Sequence, residues 1–343
     1  MKHKKILYFL SGSAIVAVFI AILIYRTLFG INIIVYKNNQ VIYIPTGSTY
    51  KQVMDSLESR LIIKNRNVLD WLAKKKKYPA MIKPGRYVID KSLSYNSLIN
   101  LLRSGRQSTV DITFGNFRTL NQIAGKIGRQ LEADSSRIIG FLSNDSNFEA
   151  DGFKKENIIS LFIPNTYEFY WNTDAKGLYR RMLKEYRLFW NDHRLSKAKE
   201  NGLDPQEVSI LASIIDDEAA KPEEKPCIAG VYLNRLRRGI PLQADPTIIF
   251  ALNDISVTRV LKKYLTVDSP YNTYTHPGLP PGPIGCASIE GIDAVLNAEK
   301  HDWLYFAARA DFSGYHYFSK TLAEHNRYAL LYQKELDKRK IFK

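Results

Sequence analysis

The sequence holds only two cysteines, Cys227 and Cys286, in 343 residues. With no C-x-x-C spacing they offer neither a zinc site nor a redox pair. The residues leave open whether they bond in an oxidising compartment or stay buried thiols. Acids are scarce too: 34 Asp and Glu stand against 49 Lys and Arg, a formal net charge of +15. That balance suits a nucleic acid, an anionic membrane surface or a polymer carrying carboxylates. Several catalytic signatures are missing: G-x-S-x-G, a Walker loop, a dinucleotide fingerprint and H-E-x-x-H. Six histidines without ligand spacing give no metal site. Ser213 has no nearby histidine to activate it.

Long apolar runs are also lacking, with one exception. Ile6 to Tyr25 is close to the ~20 residues that span a bilayer, interrupted only by Ser11, Gly12 and Ser13 and closed by Arg26. Lys2, Lys4 and Lys5 precede it, which predicts a cytoplasmic N-terminus with the rest of the chain outside. A cleaved signal peptide is the alternative; the run is long for one and no A-x-A site follows. This placement argues against nucleic acid as the partner of the positive charge.

Beyond the run, a strand followed by a Ser/Thr-capped helix recurs weakly at residues 41–57, 86–103 and 110–131. A β-α-α-β module ending near Val110 is the expected arrangement, more suited to binding or positioning than to chemistry. Lys74 to Lys77 read as a solvated helix end or loop ahead of a surface-binding run. The stretch SLFIPNTYEFYWNT crowds five aromatics, a core pattern ahead of a sugar-binding wall.

Residues 204–343 carry the densest unusual chemistry. Asp204-Pro205, with Glu207 three residues past the cap, opens a helix through LASIIDDEAA. On a helical wheel Glu218 falls within the apolar stripe of Leu211, Ile214 and Ile215. Asp216 and Asp217 fall to its sides, where they are expected to be solvated. A desolvated Glu has a raised pKa, as a general acid needs. A buried salt bridge to Arg235 or Arg237 of the next helix is the equal alternative. Glycoside hydrolysis ordinarily takes two carboxylates, and Asp245 is the only later candidate. One acid suffices where a hydroxyl of the sugar itself attacks. SPYNTYTHPGLPPGPIGCAS is a long loop of the kind that carries function. WLYFAAR reads as a buried strand and YHYFSKTLAEHNRY as strand, turn and helix.

The stretches LASIIDDEA, VYLNRLRRGIPLQADPTIIFAL, SPYNTYTHPGLPPGPI and YHYFSKTLAEHN resemble, in this order, the endolytic murein transglycosylases of the YceG-like family. IPNTYEF, IPTGSTYKQVMDSL and KPGRYVI extend the likeness, the last two resembling the family's LysM-like domain. The resemblance implies an α+β fold: a single transmembrane helix at 6–26 behind a cytoplasmic tail at 1–5, then a LysM-like module at 27–110. A mostly helical connecting part at 111–203 and a catalytic core at 204–343 follow. It also implies an inner-membrane enzyme facing the periplasm. Such an enzyme cuts nascent peptidoglycan glycan strands internally and leaves 1,6-anhydro-muramyl ends, with no cofactor and no metal. The family's acidic pair is Glu-x-Glu; here the first position is Asp216, which favours Glu218 as the catalytic residue. Asn234, Gln243, Asp245, Thr247, Tyr271, Asn272 and Tyr274 are implied as groups lining the glycan cleft. Penicillin-binding proteins are partners by resemblance only. Two rivals stand beside this reading: a non-catalytic wall-binding scaffold, and a two-carboxylate hydrolytic muramidase.

Overall fold

The computed structural model describes residues 2–254, 257 and 260–339. They form a mixed α+β protein with two compact units. One unit takes in residues up to 111 with 130–133 and 168–173; the other takes in 112–129, 134–167 and 174 onward.

The first unit begins with helix α1 (Lys2–Phe29). Within it Tyr8–Phe29 is apolar and unburied, 22 residues of mean hydropathy 2.2. At 1.5 Å per residue this is ~33 Å, enough to cross the hydrocarbon of a bilayer. Then come β1 (Ile33–Val35), β2 (Gln40–Ile44), α2 (Tyr50–Arg60), β3 (Leu61–Ile63), α3 (Arg66–Lys75), β4 (Gly85–Ile89) and α4 (Tyr95–Ser104). β2 and β4 pair antiparallel from Gln40↔Ile89 to Ile44↔Gly85, and β1 pairs with β3. In β2, Ile42 and Ile44 point inward while Tyr43 points out, the period-2 alternation of a one-sided sheet. Their buried face meets Val53, Leu57, Leu69 and Leu98 from the three helices. Thr49 and Ser94 cap α2 and α4 as the sequence predicts, and Gly105 stops α4 at φ 71°. The Lys74–Lys77 run is a helix end: Lys74 pairs with Asp70 at 2.7 Å and Lys77 turns left-handed.

Next in the chain are β5 (Thr109–Thr113), α5 (Leu120–Gly128), α6 (Ser135–Leu142), β6 (Thr166–Tyr170), α7 (Ala175–Phe189) and α8 (Asp192–Glu200). Phe162, Tyr167 and Phe169 of the aromatic stretch are buried, whereas Tyr170 is 54% exposed and Trp171 half-buried, so the stretch is core only in part. The second unit is built around α9 (Pro205–Glu218), which packs against α8 and against α10 (Lys225–Arg237), α11 (Asp245–Leu252) and α12 (Ile289–Leu296). All eight residues from Val208 to Ile215 are buried. Enclosed by four helices, α9 has no solvent face along its middle, and its acids lie only in its first and last turns. The helical wheel assumed a one-sided helix, which misplaces Asp216. Its side chain is 11% exposed and bonds Lys225 Nζ at 2.9 Å and the Ser288 N–H at 2.7 Å. Asp217 remains accessible.

β7 (Tyr305–Ala308) and β8 (His316–Ser319) form an antiparallel hairpin, backed by α13 (Leu322–Lys338). β7, expected as buried, is only half-buried because one face looks onto a cleft. Both cysteines are free and buried, and burial pushes each thiol up to about 12.

One close approach is testable. A Cβ at Gly230 of α10 would stand 2.4 Å from the Glu299 carbonyl and 2.6 Å from His301 Nε2. Gly230→Ala is therefore expected to cost roughly 1–3 kcal/mol, the range for overpacking. A thermal midpoint unchanged from wild type would contradict it.

Candidate active site

Glu218 is the last residue of α9. The helix starts with a full capping box, the Asp204 carboxylate accepting from the Gln206 and Glu207 N–H groups with Pro205 at the first position. α10 then presents Tyr232 and Arg235, three residues apart on one face. The Tyr232 hydroxyl, almost fully buried, donates to Glu218 Oε1 at 3.0 Å.

Arg235 does not pair with Glu218. Its guanidinium donates instead to the carbonyls of Leu304 (2.6 Å), Leu242 (2.8 Å) and Pro241 (3.2 Å), and to Gln243 Oε1 at 3.3 Å. Arg237 is exposed. Among the described residues Glu218 has no ion-pair partner within 4.0 Å, so the salt-bridge alternative fails. Arg235 works as a brace: it fixes the 241–243 segment, where Gln243 adopts φ 51°. That segment delivers Asp245 to the start of α11.

The loop after Ser269 completes the wall. The Gln243 N–H donates to the Thr273 carbonyl at 2.9 Å and the Ala244 N–H to Thr273 Oγ1 at 3.0 Å. Tyr274 then reaches Asp245, its hydroxyl donating to Oδ1 at 2.5 Å. Opposite stand Tyr305, Phe306 and His316 of the hairpin and His325 of α13. The result is an open, polar cleft of about 530 Å³ with Glu218 in its wall.

Burial, and after it the Asp245 charge, pushes the Glu218 carboxyl up to about 7, with the Tyr232 hydrogen bond opposing. Burial raises Asp245 as well, against the Tyr274 hydrogen bond. His316 is held by Glu224, its Nδ1 lying 2.8 Å from Oε2. Among the described residues no group of three or more His, Cys, Asp or Glu is placed to hold a metal.

Of the residues singled out from the sequence, Glu218, Gln243, Asp245 and Tyr274 come together in this cleft. Thr247 and Asn272, expected at its wall, lie behind it at 0% exposure. Thr247 bonds the Ala244 carbonyl and Thr273, and Asn272 bonds the carbonyls of Leu265 and Val267. With their polar atoms committed, they hold the loop rather than meet a ligand. Asn234 faces away, donating to the carbonyls of His301 at 2.7 Å and Trp303 at 3.1 Å. Tyr271 lines a separate concavity. Sequence reasoning missed Tyr232 as the partner of Glu218. The signal was available: a tyrosine three residues before Arg235 on a helix that packs on α9.

Fold and site thus define a class: an α+β protein with a buried carboxyl of raised pKa in an open polar cleft and a second acid at its side. The sequence signature of the YceG-like family matches residues 42–330, and the chain belongs to that family. It is 30% identical to the endolytic murein transglycosylase of Bacillus subtilis (strain 168), over 85% of this chain and 84% of that protein. An endolytic murein transglycosylase of Streptococcus pneumoniae (strain R6) is 29% identical over 85% of this chain, which spans 58% of that longer relative. The 2.6 Å crystal structure of a yceG-like protein from Listeria monocytogenes is 28% identical. It superposes with a TM-score of 0.54 over 84% of this chain and 97% of its own.

Proposed function

We propose that this protein is a membrane-anchored endolytic transglycosylase that cleaves peptidoglycan glycan strands at the β-1,4 bond after a muramyl residue, with Glu218 as acid and then base. The observation that carries the reading is Glu218 itself: hydrogen-bonded to Tyr232, without an ion-pair partner among the described residues, open to the cleft, and with its carboxyl pushed up to about 7 by burial.

In the first half of the reaction the Glu218 proton passes to the glycosidic oxygen as its bond to C1 breaks. The Glu218 carboxylate then takes the proton of the muramyl C6 hydroxyl, whose oxygen closes on C1. The products are a free 4-hydroxyl and a 1,6-anhydro end, and Glu218 returns to its acid form. No water enters. Holding that hydroxyl in place makes the attack intramolecular, where effective molarities are large. The Asp245 charge keeps Glu218 protonated at rest and offsets positive charge at C1 in the transition state.

Tyr8–Phe29 serves as a single-pass anchor with a cytoplasmic N-terminus and the remainder in the periplasm. Residues 27–110, with two helices between paired strands β2 and β4, serve as a LysM-like module, 111–203 as a connecting part and 204–343 as the catalytic core. The +15 charge draws the chain to carboxylate-bearing strands and anionic headgroups. Glycan synthases of the penicillin-binding type are the expected partners.

Asp245 beside Glu218 also supports a second reading, hydrolysis with Asp245 as the base that activates a water. Mass spectrometry of products from uncrosslinked strands separates the two. Fragments one water lighter than hydrolysis products are expected, and reducing ends of full mass would instead identify a muramidase. Binding without any cleavage would make the protein a wall-binding scaffold.

A further inference from the structure

Two adjacent acids of α9 lead to two different concavities, Glu218 directly and Asp217 through its partner Arg118. Glu218 opens onto the cleft described above. Asp217, about 100° around the helix, is held at 2.9 Å by Arg118, which lines a second hollow of about 320 Å³. α11 joins the two: Asp245 at its start is in the first and Phe250, five residues or ~8 Å along, is in the second.

The second hollow has the make-up of a ligand site, an aromatic wall with a few charged groups. Phe250 and Tyr271 pack with ring centroids 4.7 Å apart. Arg118 and Lys155 supply positive charge, and Glu156 and Pro283 close the rim. Gly282 packs tightly against two of the lining residues, since a Cβ there would overlap the Glu156 carbonyl at 1.8 Å and lie 3.0 Å from the Tyr271 hydroxyl. The Arg118–Asp217 pair is accessible, with side chains 40% and 31% exposed. Such exposed pairs are weak, so a ligand carboxylate can displace one. The other N–H groups of the guanidinium make no hydrogen bond among the described residues. A planar guanidinium also matches a carboxylate in two-point fashion.

Resting on the transglycosylase reading, we propose that this hollow is a subsite for the anionic peptide stem borne by the glycan, with Arg118 receiving a stem carboxylate against the Phe250–Tyr271 wall. Engagement has a consequence at the reacting bond. When Arg118 turns to the stem, Asp217 loses its counter-charge. Its negative charge, one residue from Glu218, then holds the Glu218 proton more firmly. The subsite thus reads whether a strand carries its peptides and readies the acid when it does.

The test compares kcat/KM on peptide-bearing strands with that on strands stripped of peptide, using the full-length protein in detergent. Wild type is expected to prefer peptide-bearing strands. Arg118→Ala is expected to cut that preference about tenfold or more, the scale of a charge-assisted hydrogen bond. Strands whose stem carboxylates are amidated serve without any variant: wild type is expected to lose the same preference on them. A preference unchanged in Arg118→Ala and on amidated strands overturns the subsite, as does a wild type that cuts both strand types alike. A wild type that cuts neither overturns the transglycosylase reading itself, and the subsite falls with it.

Discussion

Glu218→Gln is expected to remove strand cleavage, a fall in kcat of roughly 10²–10⁴, while the protein folds normally. The amide still accepts the Tyr232 hydrogen bond but has no proton to give. With Glu218 at about 7, the wild type is expected to keep its acid form below that pH. Its kcat/KM then falls about tenfold per pH unit above it. Asp245→Asn removes the second largest cause of that elevation, after burial and ahead of the Asp217 charge, so the fall is expected to begin at lower pH. A Glu218→Gln protein that folds and still releases anhydro-muropeptides would sink the assignment.

The same substitution carries a stability signature whose sign is fixed by linkage. The folded-state value lies above the ordinary glutamate value, so the ionised form is penalised only in the folded protein. The penalty is absent below pH ~4.5, grows between there and about 7, and is fully present above. Glu218→Gln is therefore expected to be more stable than wild type at pH 8, by about 1–3 kcal/mol after allowing for solvent access from the cleft, and equal to it at pH 4. Denaturant midpoints at the two pH values check this. Sites tuned for chemistry commonly give up stability in this way.

The second large effect belongs to Asp216. Asp216→Ala is expected to lower stability by roughly 3–5 kcal/mol, because removing one partner of a buried ion pair strands the other. Lys225, 8% exposed, would keep only Glu290 at 3.2 Å, and the Ser288 N–H and hydroxyl that cap α12 would lose their acceptor. For a chain of this size that is a fall of roughly 10 °C in Tm by calorimetry. A change within 0.5 kcal/mol would show the pair to be structurally idle. Asp217→Ala, which breaks only an exposed pair, is expected to cost at most about 1 kcal/mol. Three consecutive carboxylates thus sit in three settings: one ties helices together, one pairs with Arg118, and one is buried in the cleft wall against Tyr232.

Much of this was legible in the order of residues. Pro205, the Asp204 cap and Glu207 mark the start of α9 because capping is local chemistry, and the same holds for Thr49, Ser94 and Thr321. The apolar run and the strand–helix alternation follow from periodicity, which needs no knowledge of neighbours. The family was legible too, through motifs strung along most of the chain. Asp216, Asn234, Thr247 and Asn272 were not placed correctly, since a polar residue in a motif reads the same whether it faces a ligand or fastens a loop.

Local pattern alone therefore sets where the helices begin, where the long apolar helix lies and that Glu218 stands apart from its neighbours. Only the packed structure decides what surrounds that carboxyl. Residues 14, 27 and 56 positions downstream supply Tyr232, Asp245 and Tyr274, and burial, charge and hydrogen bonding act over a few ångströms of space regardless of distance along the chain. The raised pKa of Glu218 is a property of that meeting, and no single segment carries it.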